Sequence, residues 1–120
     1  MWEIEFYETA RGECLFLTFL DSSHAAARAK FIMLLDLLEE HGPDIRRPYA
    51  DLLRDGIHEL RVRQGTGRYR ALYFFFAGRR IVITHGIIKK TDEVPPNEIE
   101  RALRMRGDFL RRGKSRRLRP

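Results

Sequence analysis

The fold is decided by one stretch, GIHELRVRQGTGRYRALYFFF, which covers residues 56–76. Charged and apolar residues alternate before its central glycines, and two arginines flank a tyrosine after them. Alternation with a period of two is typical of β-strands, and glycines between two such segments indicate a hairpin turn. We therefore predict that residues 56–64 and 68–76 form the two strands of an antiparallel hairpin.

The segments downstream extend this hairpin. A second tight turn is indicated at Gly78-Arg79, and residues 80–88 are rich in Ile and Val, which favours a third strand and an antiparallel meander. Pro96 or Asn97 can begin a final helix, because proline is well tolerated at the first helical position. Residues 113–120 have almost nothing to bury, so we expect a flexible basic tail.

The segments upstream predict one strand and two helices. Residues 2–7 alternate apolar with acidic side chains, as in a strand buried on one face. Residues 10–20 and 24–41 carry apolar stripes at helical spacing, and their short connection favours an antiparallel helical hairpin. We interpret residues 43–55 as a connection with a short helical turn at residues 50–53.

Together these elements predict an α+β fold with the order β-α-α-β-β-β-α. The meander sheet is expected to pack on the helical hairpin, with its other face at least partly open. A length of 120 residues suits one domain, which we place at residues 1–112, ahead of the tail at residues 113–120.

Composition limits the class of protein. No apolar run approaches the roughly 18 residues that span a bilayer, and the acidic residues after Met1 are unlike a secretory signal, so no membrane partner is expected. Cys14 is the single cysteine and is expected in the core; it excludes an internal disulfide and fits a reduced, cytoplasmic setting.

Charge is distributed unevenly along the chain. Residues 1–44 hold three basic and nine acidic residues, whereas residues 45–90 hold eleven basic and three acidic residues. Such asymmetry favours a polyanion or an acidic protein as partner, although a solubilising surface gives the same count.

Four arginines on the hairpin are the strongest candidate for a binding site. Their spacing places them on one face of the sheet, side by side across the two strands: Arg61, Arg63, Arg68 and Arg70. Like charges at this spacing repel one another, and Arg binds phosphate with a bidentate fork, so a polyanion such as RNA would neutralise the patch. The alternative is a solvated face on which Glu59 is a local partner.

Other residues could contribute proton transfer or stacking. His85 and His58 are expected on strands, where a histidine either serves acid–base chemistry or is simply packed. Tyr73 is the aromatic residue of the second strand that we expect to be most exposed, whereas its aromatic neighbours are expected in the core. No metal site is expected, because no pair of histidines or carboxylates has ligand spacing and one cysteine cannot build a zinc cluster.

Several linked motifs resemble the phage-derived branch of the RelE/HigB toxin superfamily. The resemblance runs from about residue 53 to about residue 109. Its motifs are Gly-x-x-Glu-Leu-Arg at residues 56–61, Tyr-Arg-x-x-Tyr at 69–73, His-Gly-x-x-Lys-Lys at 85–90 and Thr-x-x-x-Pro at 91–95, followed by an acidic-rich helix.

This resemblance implies a RelE-like fold and the toxin of a type II toxin–antitoxin pair. The implied partners are a helix-turn-helix DNA-binding antitoxin, the ribosome and mRNA. The implied activity is cofactor-free cleavage of mRNA, in which a 2′-hydroxyl attacks the adjacent phosphate. The residues assigned by it are phosphate clamps at Arg61 and Arg70, a further cation at Lys89 or Lys90, a base-positioning Tyr73 and proton transfer at His85. The arginine patch itself adds RNA contacts at Arg63 and Arg68.

One departure from the family keeps other functions open. RelE relatives often carry a catalytic Tyr or His near the C-terminus, where this chain has a helix and a basic tail with neither residue. Either this branch uses another acid, or cleavage depends on cations and on RNA geometry imposed by the ribosome. The alternatives are a ParE-like toxin that inhibits DNA gyrase without nuclease chemistry, or a non-toxic RNA-binding phage accessory protein.

Overall fold

The computed structural model describes residues 1–91 and 93–119, so Pro120, at the end of the expected tail, lies outside it. The fold is α+β, with three α-helices and one six-stranded, mostly antiparallel sheet among the described residues, in agreement with the prediction. The elements in chain order are β1 (Glu3–Tyr7), α1 (Leu15–Ser22), α2 (Ala25–His41), a 3-10 turn (Gly42–Asp44), β2 (Ala50–Arg54), β3 (Ile57–Gln64), β4 (Gly67–Phe76), β5 (Arg80–Lys89), α3 (Pro96–Arg112) and β6 (Ser115–Arg117).

The sheet has the strand order β2-β3-β4-β5-β1-β6. Strands β3, β4 and β5 form the predicted antiparallel meander. Strand β1 returns to pair with β5 in parallel, with Glu3 opposite Arg80 and Phe6 opposite Ile83. The N-terminal strand is therefore joined to the last strand of the meander within one sheet.

Each face of the sheet carries its own core. The helical hairpin of α1 and α2 covers one face, where Phe16, Phe31 and Leu38 pack on Leu60 and Ile83 in a layer of fully or nearly fully buried side chains. Cys14 belongs to this core, as predicted. Helix α3 covers part of the other face. The apolar residues buried between the sheet and this helix include Ile57, Leu72, Phe74, Val82, Ile87, Ile99, Ala102, Met105 and Phe109.

Strand β2 replaces the short helical turn predicted at residues 50–53, so that prediction is wrong. Asp55 and Gly56 both adopt positive φ, at 53° and 80°, and form the tight turn that joins β2 to β3. An Asp-Gly pair is a strong hairpin signal, because Gly and Asp tolerate the left-handed backbone that the turn requires. Helix α1 begins at Leu15 rather than residue 10, since Gly12, with φ of 85°, belongs to a turn closed by its N–H on the Thr9 carbonyl.

The stretch after Gly113 differs from the expected flexible tail. Ser115–Arg117 pairs antiparallel with β1, which otherwise would have an unpaired outer edge. Arg116 and Arg119 form ion pairs with Glu8 and Glu39, at 2.7 and 2.9 Å. These contacts hold a segment whose one apolar side chain is Leu118. That side chain packs against the core beneath the helical hairpin. No helix in the described part of the chain is long and apolar enough to cross a membrane.

Candidate nucleic-acid interface

The predicted arginine patch exists and lies on the same face as α3. Arg61 is directly opposite Arg70, and Arg63 is directly opposite Arg68, in the register of β3 with β4. Residues that face each other across an antiparallel pair project to the same side of the sheet. Helix α3 packs on one half of this face, so the arginines occupy the other half.

A bulge in β5 adds a lysine to the patch. Leu72 is opposite His85 whereas Tyr73 is opposite Ile83, so Thr84 is the extra residue and the side-chain alternation reverses there. Lys89 therefore lies opposite Arg68 on the arginine face, where it is buried, and Lys90 follows at the exposed end of the strand. Of the two lysines named from sequence, the structure brings Lys89 to the arginines.

A buried carboxylate organises the patch. Glu59 Oε1 lies 3.0 Å from Arg70 Nε, and the two side chains are only 5% and 6% exposed. The Arg70 N–H is not aimed at this oxygen, so both atoms lack a hydrogen bond and the contact is an ion pair. Burial lowers the pKa of Arg70, and Glu59 opposes that shift while Arg61 and Arg68 add to it. Glu59 is thus the counter-charge that lets Arg70 sit below the surface.

Arg61 is the more accessible member of its pair. Its side chain is 29% exposed, and its Nε lies 4.0 Å from Glu59 Oε2, at the limit of an ion pair. Arg63 is exposed and Arg68 is half-buried. The accessible guanidinium groups therefore come from Arg61, Arg63 and Arg68, whereas Arg70 lies beneath them.

His85 lies on the same face but under α3. It is 1% exposed, and its Nε2 is 3.1 Å from Glu98 Oε1, on the first turn of that helix. Burial lowers the pKa of His85, and Arg101 lowers it further, while Glu98 acts in the opposite direction. His85 Nδ1 lies 3.0 Å from the Thr84 hydroxyl oxygen, and this hydroxyl donates to the Leu72 carbonyl at 3.2 Å. The His85 side chain therefore links the sheet to α3 and is not exposed to the solvent that surrounds the arginines.

Tyr73 is on the opposite face, so its predicted exposure is wrong. It is 1% exposed and stacks on His58, with ring centroids 5.3 Å apart. Burial raises the pKa of the Tyr73 hydroxyl and lowers that of His58. Tyr73 belongs to the core beneath the helical hairpin, and the half-buried His58 packs on it, in line with the interpretation of His58 as a packed residue.

Two adjoining cavities lie at the edge of the arginine patch. The first, of about 280 Å³, is lined by Pro48, Arg61, Val62, Arg63 and Arg70. The second, of about 310 Å³, is lined by Lys30, Met33, Leu34, Pro48, Tyr49, Arg61, Val62 and Arg63. Met33, Pro48 and Tyr49 were not identified from sequence. No cluster of three or more metal-ligating side chains occurs among residues 1–91 and 93–119.

Comparison with known families gives one match. The family model described as phage-derived protein Gp49-like (DUF891) matches residues 18–106, about three quarters of the chain. The matched region contains the arginine hairpin, the β5 bulge, His85 and Glu98. A search among curated proteins finds no significant match.

Proposed function

We propose, because the chain belongs to the Gp49-like family of phage-derived proteins, that it is the toxin of a type II toxin–antitoxin pair. This family is a branch of the RelE/HigB-like toxins. Within that group we assign to this chain the cleavage of mRNA on the ribosome. The observation that carries the assignment is the arginine face, on which Arg61 opposes Arg70, and Arg63 opposes Arg68.

The arginines suit the charge that develops during RNA cleavage. The 2′-hydroxyl of one nucleotide attacks the adjacent phosphorus, and the 5′-oxygen of the next nucleotide leaves with a proton, which yields a cyclic phosphate. Guanidinium groups that are fixed in advance stabilise the extra negative charge of the phosphorane. In this proposal Arg61 contacts the reacting phosphate, and the buried Arg70 adds to the positive electrostatic potential there. Arg63 and Arg68 bind the neighbouring phosphates. Lys89 supplies further positive charge beside Arg68.

Among the described residues, no accessible side chain at the patch titrates near neutral pH. Arginine stays protonated at neutral pH, and His85 and Tyr73 are enclosed. We therefore assign His85 a positioning role through Glu98 and omit Tyr73 from the RNA contacts. The ribosome would hold the RNA in line for attack, so free RNA should be cleaved poorly.

The positive charge of the arginine face also suits both expected partners, RNA and the antitoxin. Ribosomal RNA and mRNA are polyanions, so an accessible arginine cluster attracts them without reading sequence. A helix-turn-helix antitoxin would neutralise the toxin by placing acidic or bulky side chains over the same arginines.

Induction of the gene with and without its neighbouring gene tests this function. We expect growth arrest that the neighbour relieves, together with new mRNA 5′ ends within translated codons soon after induction. Arrest without any new mRNA ends would refute the nuclease assignment, and unaffected growth would refute the toxin assignment.

The absence of a titrating group among the accessible arginines also favours a second function. A ParE-like toxin needs only to bind DNA gyrase, and the same basic face would serve as its contact surface. The same induction experiment separates the two, because gyrase inhibition produces a DNA-damage response while mRNA stays intact.

A further inference from the structure

The second cavity beside the arginines is an apolar slot at the edge of β3. Strand β2 pairs with β3 only as far as Ala50 opposite Leu60, and the last link is the Arg61 N–H on the Tyr49 carbonyl, at 2.8 Å. Beyond this point β3 is paired with β4 on one side, and in the described sheet no strand lies on its other side. The slot opens there, between α2 and the loop that precedes β2.

The walls of the slot are apolar and aromatic. Met33 is 58% exposed and Tyr49 is 50% exposed, which is unusual for side chains of this size, and Leu34, Pro48 and Val62 complete the lining. An exposed aromatic ring beside a polarisable thioether offers flat, adaptable contact area.

The rim of the slot is positively charged. Lys30, Arg61 and Arg63 contribute to its lining, and none of the described residues that line it is acidic. Lys30 Nζ is fixed by a hydrogen bond to the Arg63 carbonyl, at 2.7 Å. Pro48, Arg61, Val62 and Arg63 also line the arginine cavity, so the two spaces adjoin.

We propose that this slot receives an unstacked nucleobase of the RNA strand whose phosphates lie on Arg61 and Arg63. The inference rests on the proposed function, since it takes RNA as the ligand of the arginine face. The Tyr49 ring and the Met33 side chain enclose the base, while the phosphates on either side of it reach the two arginines. Single-stranded RNA is recognised in this way, by aromatic stacking next to cationic backbone contacts.

The size and charge of the slot favour a base over a protein segment. Its volume of about 310 Å³ is at the small end of ligand sites, and a docked helix or strand needs several anchors along an extended groove. The two phosphates that flank one nucleotide would pair with Arg61 and Arg63, and Lys30 would add a third positive charge.

Anisotropy titrations with two labelled probes test the slot. One probe is a single-stranded 2′-O-methyl RNA octamer, which cannot be cleaved by 2′-attack, and the other is the same backbone without bases. We expect Tyr49→Ala to weaken binding of the base-bearing octamer by roughly 5- to 150-fold, the range for loss of one stacked base. Binding of the baseless octamer should be unchanged, and Tyr49→Phe should retain wild-type affinity for both.

Three controls separate the possible outcomes. Ile32→Ala removes a side chain that is 51% exposed on the same helix as Met33 but does not line the slot, so it should change nothing. Arg61→Ala should make the dependence of log affinity on log salt shallower by about 0.7 for a single strand, whereas Tyr49→Ala should leave that slope unchanged. Circular dichroism checks that each variant is folded.

Each contrary result has a separate meaning. If Tyr49→Ala binds the base-bearing octamer like the wild type while Arg61→Ala binds weakly, the slot proposal fails and the RNA-binding function stands. If Tyr49→Ala loses the antitoxin but not the RNA, the slot is a protein-docking site and our proposal is overturned. If the wild type binds neither probe, the slot proposal fails, and the induction experiment decides separately whether the proposed function stands.

Discussion

Arg61 and Arg70 are directly opposed on β3 and β4, and the Glu59 carboxylate lies between these two guanidinium groups, 4.0 and 3.0 Å from their Nε atoms. The two arginines are therefore not equivalent. Arg70 is fixed below the surface by its counter-ion, whereas Arg61 remains partly accessible to a ligand. Substitutions at the two positions should consequently affect different properties.

Arg61→Ala should abolish toxicity and leave the fold intact. The side chain is 29% exposed and its ion pair is long, so its removal should change the free energy of unfolding by less than about 1 kcal/mol. Colony counts after induction measure toxicity, and urea unfolding measures stability. Arg104→Ala, at an exposed position on α3, is the control and should remain toxic. Full growth arrest by Arg61→Ala would remove this residue from the site.

Arg70→Ala should reduce stability as well as toxicity. It leaves the Glu59 carboxylate buried without its counter-charge, which costs about 3–5 kcal/mol in comparable pairs. A Glu59→Leu/Arg70→Met double variant should recover most of that loss, because both charges are then removed together. Urea unfolding of the single and double variants is the measurement. A single variant as stable as the wild type would show that Glu59 does not depend on Arg70.

The stability of the protein should fall as the pH falls below about 6.5. The folded-state pKa of His85 is lowered by burial, so between the folded and the unfolded pKa the unfolded chain binds more protons. The contribution of His85 is therefore complete above the unfolded pKa and is lost as the pH falls toward the folded pKa. Urea midpoints measured from pH 7.5 to 5 should show a smaller decline for His85→Gln. His41→Gln, at a residue whose side chain is 51% exposed, should decline like the wild type.

Removal of residues 114–120 should destabilise the sheet. It deletes β6, exposes the outer edge of β1, and breaks the ion pairs of Arg116 with Glu8 and of Arg119 with Glu39. We expect a loss of about 2–4 kcal/mol in the free energy of unfolding, from lost sheet hydrogen bonds and from burial of Leu118. Thermal and urea unfolding of the truncated chain measure this. A truncated chain with an unchanged midpoint would mean that the strand contributes nothing to stability.

The basic C-terminal segment should also strengthen attachment to RNA, and this prediction needs a test that avoids the destabilisation caused by truncation. Lys114 and Arg117 are exposed, so replacing both with Gln removes charge without removing the strand. The double variant should bind RNA more weakly at low salt and with a shallower salt dependence. Equal binding at every salt concentration would exclude the tail from the RNA contacts.

The meander and its arginine face were predictable because their signals are local. Alternation along β3 and β4, with glycines between them, sets both the pairing and the side on which Arg61 and Arg70 lie. The Asp55-Gly56 turn is an equally local signal, but the adjacent Leu52-Leu53 does not alternate, so the sequence gives no strand pattern for β2. The burial of Tyr73 also follows from the alternation that starts at Arg70.

Other features depend on contacts that no local pattern reveals. Simple alternation from Ile81 and Ile83 would place His85 beneath the helical hairpin, and only the bulge at Thr84 turns it toward α3 and Glu98. The slot is built from α2 and from the loop that precedes β2, so its residues become neighbours only in the folded chain.

The position of β1 also has a consequence for how the chain acquires its structure. The meander is made of segments that are adjacent in sequence. Strand β1, in contrast, pairs with β5 and β6, whose residues Arg80 and Arg117 are distant from it in sequence. Pairings between distant segments form slowly, because the intervening loop must first be closed. We expect the arginine face to assemble early in biosynthesis, and the sheet to be completed only after Arg117 has emerged from the ribosome that makes it.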